Sequence, residues 1–304
     1  MCNITGRATR QIAKEMGCDI TWSEMISSEG LVRQKLTGNK SLRLAKKFSE
    51  VEIPYWTQIF GANPQSMARA AKIIEEKVKP TGIDINLGCP VPKAQKNGYG
   101  AIQIANIPQV VQIIQEIKQT INLPLSLKTR LGLQEPTEIL EFAPKLVKAG
   151  LDQLVVHART LRGMFSAEPR WEIVKRLNDT LNIPVIYNGG IKTPEDAHFY
   201  WKNTGCQNLM IGQATIGRPW LFAEIKHYLQ TGRKLSFPLT QKKEIVLRHA
   251  RLFLKYQPNS TKNLIPFRAQ LAAYFRNMAA PKKFRQQAVQ IKTLNELKKL
   301  LKRF

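Results

Sequence analysis

The chain has 304 residues, room for one large and one smaller domain, and its 43% hydrophobic content excludes a disordered polymer. No apolar run approaches the roughly 18 residues of a membrane span, and no signal-peptide core opens the chain; Cys2, Cys18, Cys89 and Cys206 lack metal-ligand and disulfide spacing, so a cytoplasmic protein with free thiols is expected. The net charge of +25 is uneven: from Ser236 to Phe304 sixteen Lys or Arg face two acids, Glu244 and Glu296, the footprint of a polyanion partner unless those lysines only coat solvated helix faces.

In chain order, short apolar runs at 20–25, 55–61, 82–87, 123–130, 153–158, 183–188 and 208–212 read as buried strands. Several follow a Gly placed to end a helix: Gly17, Gly82, Gly150 and Gly205. Two enter through Pro124 and Pro184. Helix starts are legible at Asn63-Pro64 and at Thr193-Pro194-Glu195-Asp196, where a capping side chain precedes Pro at the first helical position. Strand–helix alternation predicts an α/β fold with a parallel sheet. Seven strands at this spacing suggest a (β/α)8 TIM barrel short of one strand. A doubly wound open sheet is the alternative, weakened because no GxGxxG follows an early strand. Beyond about residue 236 the pattern is helical, near 240–256, 264–278, 282–291 and 293–303, the last opened by the capping box Thr293…Glu296. Two domains are expected, 1–235 and 236–304.

In such barrels chemistry sits at the carboxyl ends of the strands. Those ends carry Gln58, Asn86 and Cys89, Lys128 and Arg130, His157 and Arg159, Asn188-Gly189-Gly190, and Gly212-Gln213. The last two glycine-bearing ends suit a phosphate held by main-chain N–H groups, or simply make tight turns. Lys128 is either an edge residue or a cation for a reduced flavin. His157 alone reads more readily as structural, and Cys89 as a small buried hydrophobe. Its place between Gly88 and Pro90 on a polar loop instead favours an exposed thiol able to donate a proton. The loop 91–100, with Lys96, Asn97 and Tyr99, has the composition of a mobile lid or RNA-facing flap, or of a solvated connection.

Together these strand ends resemble the tRNA-dihydrouridine synthase family. The resemblance rests on Asp84-Ile85-Asn86-Leu87-Gly88-Cys89-Pro90, the following Lys96-Asn97-Gly98-Tyr99-Gly100-Ala101, Gln58-Ile59-Phe60-Gly61, Lys128-Thr129-Arg130-Leu131-Gly132, Val156-His157-Ala158-Arg159-Thr160, Asn188-Gly189-Gly190-Ile191, and Met210-Ile211-Gly212 with Gly217-Arg218-Pro219-Trp220. It implies a barrel with FMN at its mouth, NADPH or NADH as reductant, and a basic helical tail gripping tRNA. Carried over, Gln58, Lys128 and His157 contact the flavin ring, and Asn188, Gly189, Gly190, Gly212 and Gln213 hold its phosphate end. Asn86, Arg130 and Arg159 face the uracil, with Lys96 and Asn97 beside them, and Lys282 and Lys283 meet the tRNA. Cys89 is the general acid, protonating C5 after hydride reaches C6. No metal and no obligate protein partner is implied, and a monomer is expected.

Two departures stand out. Gln213 replaces the family's usual Arg. Met1–Thr5 aligns with the end of the family's first strand, and the strand itself is absent, which points to a missing N-terminal segment; with Met1 as the true start, poor FMN retention is expected. A dihydroorotate or dihydropyrimidine dehydrogenase would share the flavin–pyrimidine pairing but leaves the basic tail unexplained. A degenerate RNA-binding relative would not need Cys89, Lys128 and His157 together.

Overall fold

The computed structural model describes residues 4–33, 50–164, 166–257 and 262–304. Cys2 and most of the stretch aligned with the family's first strand therefore lie outside the described residues. The sheet is parallel throughout and runs in chain order: β1 (Thr21–Trp22), β2 (Ile26–Ser27), β3 (Tyr55–Phe60), β4 (Gly82–Leu87), β5 (Leu125–Arg130), β6 (Gln153–His157), β7 (Val185–Asn188) and β8 (Asn208–Met210). Sequential parallel neighbours joined by helices are the barrel topology the alternation predicts. Among the described residues β8 and β1 are not paired with each other.

The expected strand 20–25 is instead two short pieces, both paired with β3. Ser23, Glu24 and Met25 separate them, and Ser23 is paired with β3 in its own way. Its N–H donates to the Trp56 carbonyl at 2.8 Å, and its hydroxyl oxygen accepts the Gln58 N–H at 2.8 Å, standing in for a main-chain carbonyl. A side chain thus carries one rung of the ladder, and the strand bends around it.

The helices before the C-terminal unit are α1 (Arg7–Glu15), α2 (Ser28–Arg33), α3 (Pro64–Lys77), α4 (Pro92–Lys96), α5 (Ile107–Thr120), α6 (Glu138–Lys148), α7 (Trp171–Thr180), α8 (Pro194–Thr204) and α9 (Leu221–Thr231), and all but α1 and α4 contribute to the core on the sheet's outer side. The caps form as the sequence implies. The Asn63 side chain accepts the Ser66 N–H, and Thr193 and Asp196 close a reciprocal capping box. Gly17, Gly150 and Gly205 take positive φ after their helices, but Gly82 does not; Lys79 holds the left-handed position there, at φ 55°. Gly82 has a different reason to lack a side chain: a Cβ would lie 2.5 Å from the Trp56 ring.

The strands alternate with period two. Ile59, Ile83, Ile85, Leu87, Leu125, Leu127, Leu154, Val156, Val185 and Tyr187 join the main core between sheet and helices. The opposite, inner face carries the polar Gln58, Asp84, Asn86, Ser126, Lys128, Arg130, His157 and Asn188 beside the apolar Trp56, Val155 and Ile186.

From α10 (Leu239–Lys255) onward the described chain is helical, with α11 (Arg268–Asn277), α12 (Lys282–Ala288) and α13 (Leu294–Arg303). Their own core takes in Ala8 and Ile12 of α1 and Trp220. Buried His249 shares Nδ1 with the Tyr274 hydroxyl at 2.8 Å and Nε2 with Thr9 Oγ1 at 3.2 Å. Burial alone holds His249 down to about 3, so it is neutral at physiological pH. The other face of α1 reaches the sheet through Arg10, whose Nε donates to buried Glu52 at 2.6 Å. Helix α1 therefore packs against both units.

Candidate active site

The inner face concentrates polar groups where a barrel interior is usually packed with branched aliphatics. Burying them uncompensated would be costly, so their partners matter. Gln58 on β3 donates from Nε2 to Asp84 Oδ2 at 2.6 Å, and its Oε1 accepts Asn86 Nδ2 at 3.0 Å. Asn86 Oδ1 then accepts the main-chain N–H of Cys89 at 3.0 Å and of Gly88 at 3.3 Å. This short side chain fixes the turn that carries Cys89 off the end of β4. Cys89 is half-buried. Its carbonyl accepts the Ala101 N–H at 3.1 Å, and Gly100, with φ 78°, packs so closely that a Cβ would lie 2.8 Å from that oxygen.

Arg130, at the end of β5, is 1% exposed. Its Nε donates to the Gly88 carbonyl, and its Nη1 donates to the carbonyls of Thr160 and Met164, each at 3.0 Å. It ties the Cys89 turn to the loop after β6. Arg130 and Asn86, expected to face the base, also hold the surrounding loops through these hydrogen bonds. Burial, and then the charge of Arg159, lower the Arg130 guanidinium to about 10, while Cys89 works in the other direction.

Lys128 is aligned with Asn86 across the β4–β5 ladder, and Arg130, His157 and Asn188 align across β5, β6 and β7. Lys128 Nζ donates to Asn188 Oδ1 at 2.9 Å, and Asn188 Nδ2 donates to the Met210 carbonyl at 2.7 Å, joining β7 to β8. Burial and the Arg130 charge lower Lys128 to about 8, against the pull of Asp84. Burial and the cations of Lys128, Arg130 and Arg159 press His157 far below the ordinary histidine value, so it stays neutral. Arg159 reaches His157 Nε2 through Nη1 at 3.3 Å and donates from Nε to the Ala167 carbonyl. A cleft of about 270 Å³ opens beside Arg159, lined by Gln134, Thr160, Ala167, Glu168 and Arg170 among others.

Gly189 and Gly190 have φ of 119° and 73°; a Cβ on Gly189 would lie 2.8 Å from the His157 ring, so this turn at the end of β7 packs directly on the imidazole. Gly212 and exposed Gln213 begin a 3-10 turn just after β8. Lys96 and Asn97 are exposed in the segment that follows β4. The expected loop there is folded: 92–96 is a helical turn with Ala94 buried, and Tyr99 packs on Phe60 with centroids 4.5 Å apart. Lys282 and Lys283 are exposed at the start of α12, on the helical unit and apart from the inner face. Sequence reasoning passed over Asp84 and Ser23. The signal for Asp84 was the alternation itself, Gly82-Ile83-Asp84-Ile85-Asn86, which puts the Asp on the same face as Asn86.

The model of the family described as dihydrouridine synthase (Dus) matches residues 1–304. The chain belongs to the dihydrouridine synthase family. It is 36% identical over 253 residues to tRNA-dihydrouridine synthase B of Escherichia coli K12, covering 83% of this chain and 77% of that one. It is 34% identical over 259 residues to the Shewanella oneidensis enzyme of the same name, covering 82% and 76%. A probable tRNA-dihydrouridine synthase of Aquifex aeolicus is 30% identical, covering 84% and 79%. Among solved structures, an old yellow enzyme homologue from Zymomonas mobilis superposes with a TM-score of 0.53 at 10% identity, over 77% of this chain and 86% of that one, a likeness of fold. Members of the dihydrouridine synthase family are flavin-dependent oxidoreductases, and the inner face fits such a group. A flavin ring needs donors around its rim and a cation where the reduced ring gathers negative charge. Gln58, neutral His157 and Lys128 are groups of those kinds on one face.

Proposed function

We propose that this chain reduces the C5–C6 double bond of uridines in tRNA at the carboxyl ends of β3–β8, with Cys89 as proton donor. Residues 1–235 form the flavin-binding catalytic domain, and residues 236–304 the tRNA-binding domain, of a cytoplasmic monomer. FMN, when bound, would supply the hydride that goes to C6 of the base, and NADPH or NADH would replenish it.

The residues of this chain do the rest. Gln58, Lys128 and His157 would border the ring; Lys128 offers positive charge, and His157, being neutral, would not compete with it. Asn188 orients the Lys128 ammonium. Asn188, Gly189, Gly190, Gly212 and Gln213 hold the phosphate end, where Gln213 brings no charge and main-chain N–H groups bind the anion. Arg159 meets the uracil, and Lys96 and Asn97 the surrounding RNA. The target base must leave its stack to reach this face. Cys89 Sγ gives its proton to C5. The thiolate left behind lies within electrostatic reach of Arg130. Asn86 and Arg130 hold the Cys89 turn from its two sides, and that anchored thiol beside a polar sheet face is the observation that carries the reading.

The test is turnover of the purified yellow protein with NADPH on an unmodified tRNA transcript and on free uridine. Dihydrouridine should form in the transcript and not from the nucleoside. Equal reduction of both, or none of the transcript by flavin-loaded protein, would reject it.

A further inference from the structure

Asp84 is 0% exposed on the inner face and has no place in the mechanism above. It is nevertheless the start of a continuous chain of hydrogen bonds. Gln58 Nε2 donates to it at 2.6 Å, Asn86 Nδ2 donates to Gln58 Oε1 at 3.0 Å, and the Cys89 N–H donates to Asn86 Oδ1 at 3.0 Å. Gln58 and Asn86 are 8% and 7% exposed.

A carboxamide presents an oxygen and an NH2 that exchange places when it turns over; an ionised carboxylate can only accept. Facing Asp84, Gln58 must therefore present its NH2, which turns Oε1 toward Asn86. Asn86 must then donate, which leaves its own oxygen for the Cys89 turn. Reversing either amide would set like groups against each other in a buried site, so the chain keeps one order as a unit.

We propose that Asp84 is a positioning residue for the proton donor: as an obligate acceptor it sets the direction of the Asp84–Gln58–Asn86 relay, and so aims the Cys89 turn. Arg130 holds the neighbouring Gly88 carbonyl at 3.0 Å, and the relay holds the N–H groups of Gly88 and Cys89. The turn is thus gripped by its acceptor through one partner and by its donors through another. This rests on Cys89 being the donor.

The experiment uses full-length, flavin-loaded protein and two variants. Asp84→Asn gives Gln58 a partner that donates as well as accepts, leaving both orders open. Gln58→Leu cuts the relay one link further on and leaves the carboxylate in place, which covers a failure of Asp84→Asn to fold. Two quantities are read: alkylation of Cys89 by iodoacetamide, followed on its peptide by mass spectrometry, and turnover on tRNA with and without Cys89→Ala. Both variants should change the alkylation rate about fivefold or more, since thiol access and environment set it. In Asp84→Asn a misaimed donor should lower kcat roughly 10- to 100-fold with KM for tRNA held within about twofold, whereas Gln58→Leu, which also touches the flavin site, is read by alkylation alone. In the Cys89→Ala background Asp84→Asn should cost little more, because both changes act through one group. Alkylation within about twofold of the parent in both variants, or an equal loss of kcat in both backgrounds, would overturn the proposal. Undiminished turnover of Cys89→Ala alone would instead remove Cys89 as donor, while the alkylation rates still decide whether the relay aims its turn.

Discussion

Lys128 holds the most consequential charge on the inner face. Folding lowers it from the ordinary 10.5 to about 8, chiefly by burial, so its charged form is disfavoured in the folded protein. The resulting loss of stability is present in full below pH 8 and is relieved as pH rises from 8 toward 10.5. Asp84 shifts the other way, raised by burial from 3.8 to about 6 against hydrogen bonds from Gln58 and Ser126. Its penalty is absent below about pH 3.8 and full above about pH 6. For activity the Lys128 shift matters more: turnover should fall as pH passes about 8 and the ammonium is lost. Lys128→Met should lower turnover by about 100-fold, as expected for one preorganised charge at a reacting centre, and should remove that alkaline limb. A parent profile flat to about pH 9, or a variant that keeps the limb, would separate Lys128 from the chemistry.

Elements hold these groups through a few close approaches. Gly217, at φ 65° in the segment after β8, lies so near α11 that a Cβ would sit 2.4 Å from the main chain of Ala273 and Tyr274. There the barrel touches the helical unit backbone to backbone. Gly217→Ala combines a left-handed alanine with overpacking and should cost about 2–4 kcal/mol, read from the denaturant midpoint. A change under about 0.5 kcal/mol would contradict this packing. Much of the element plan was legible, because Pro, Gly and capping residues act locally: Asn63, Thr193 and Thr293 each cap the helix they precede. What depends on distant chain was not legible. The Ser23 break in the first strand needs Trp56 and Gln58 as partners, Gly82 is explained only by the Trp56 ring, and the grip of Arg130 on the carbonyls of Thr160 and Met164 joins strand ends that are far apart in the chain.

At the scale of the whole molecule, the proposed function requires the sheet's inner face and the basic helical unit to meet one RNA. Lys282 and Lys283 are exposed on α12, outside the catalytic face, so they should serve affinity and not chemistry. Replacing both with Ala should weaken tRNA binding and reduce the salt slope by about 1–2, with kcat at saturating tRNA unchanged. An unaltered slope would move the RNA path off this helix. The candidate residues could be grouped from the sequence because a parallel barrel gathers its strand ends on one side; Asp84 lies deeper on the same strand as Asn86. The central claim is that the anchored thiol of Cys89 completes the reduction. Its most direct measure is a single turnover: pre-reduced protein mixed with unmodified tRNA, with flavin reoxidation and dihydrouridine followed together. Cys89→Ala should bind flavin and tRNA as the parent does and yet form dihydrouridine about 100-fold more slowly or worse; formation within about twofold of the parent rate would contradict the account.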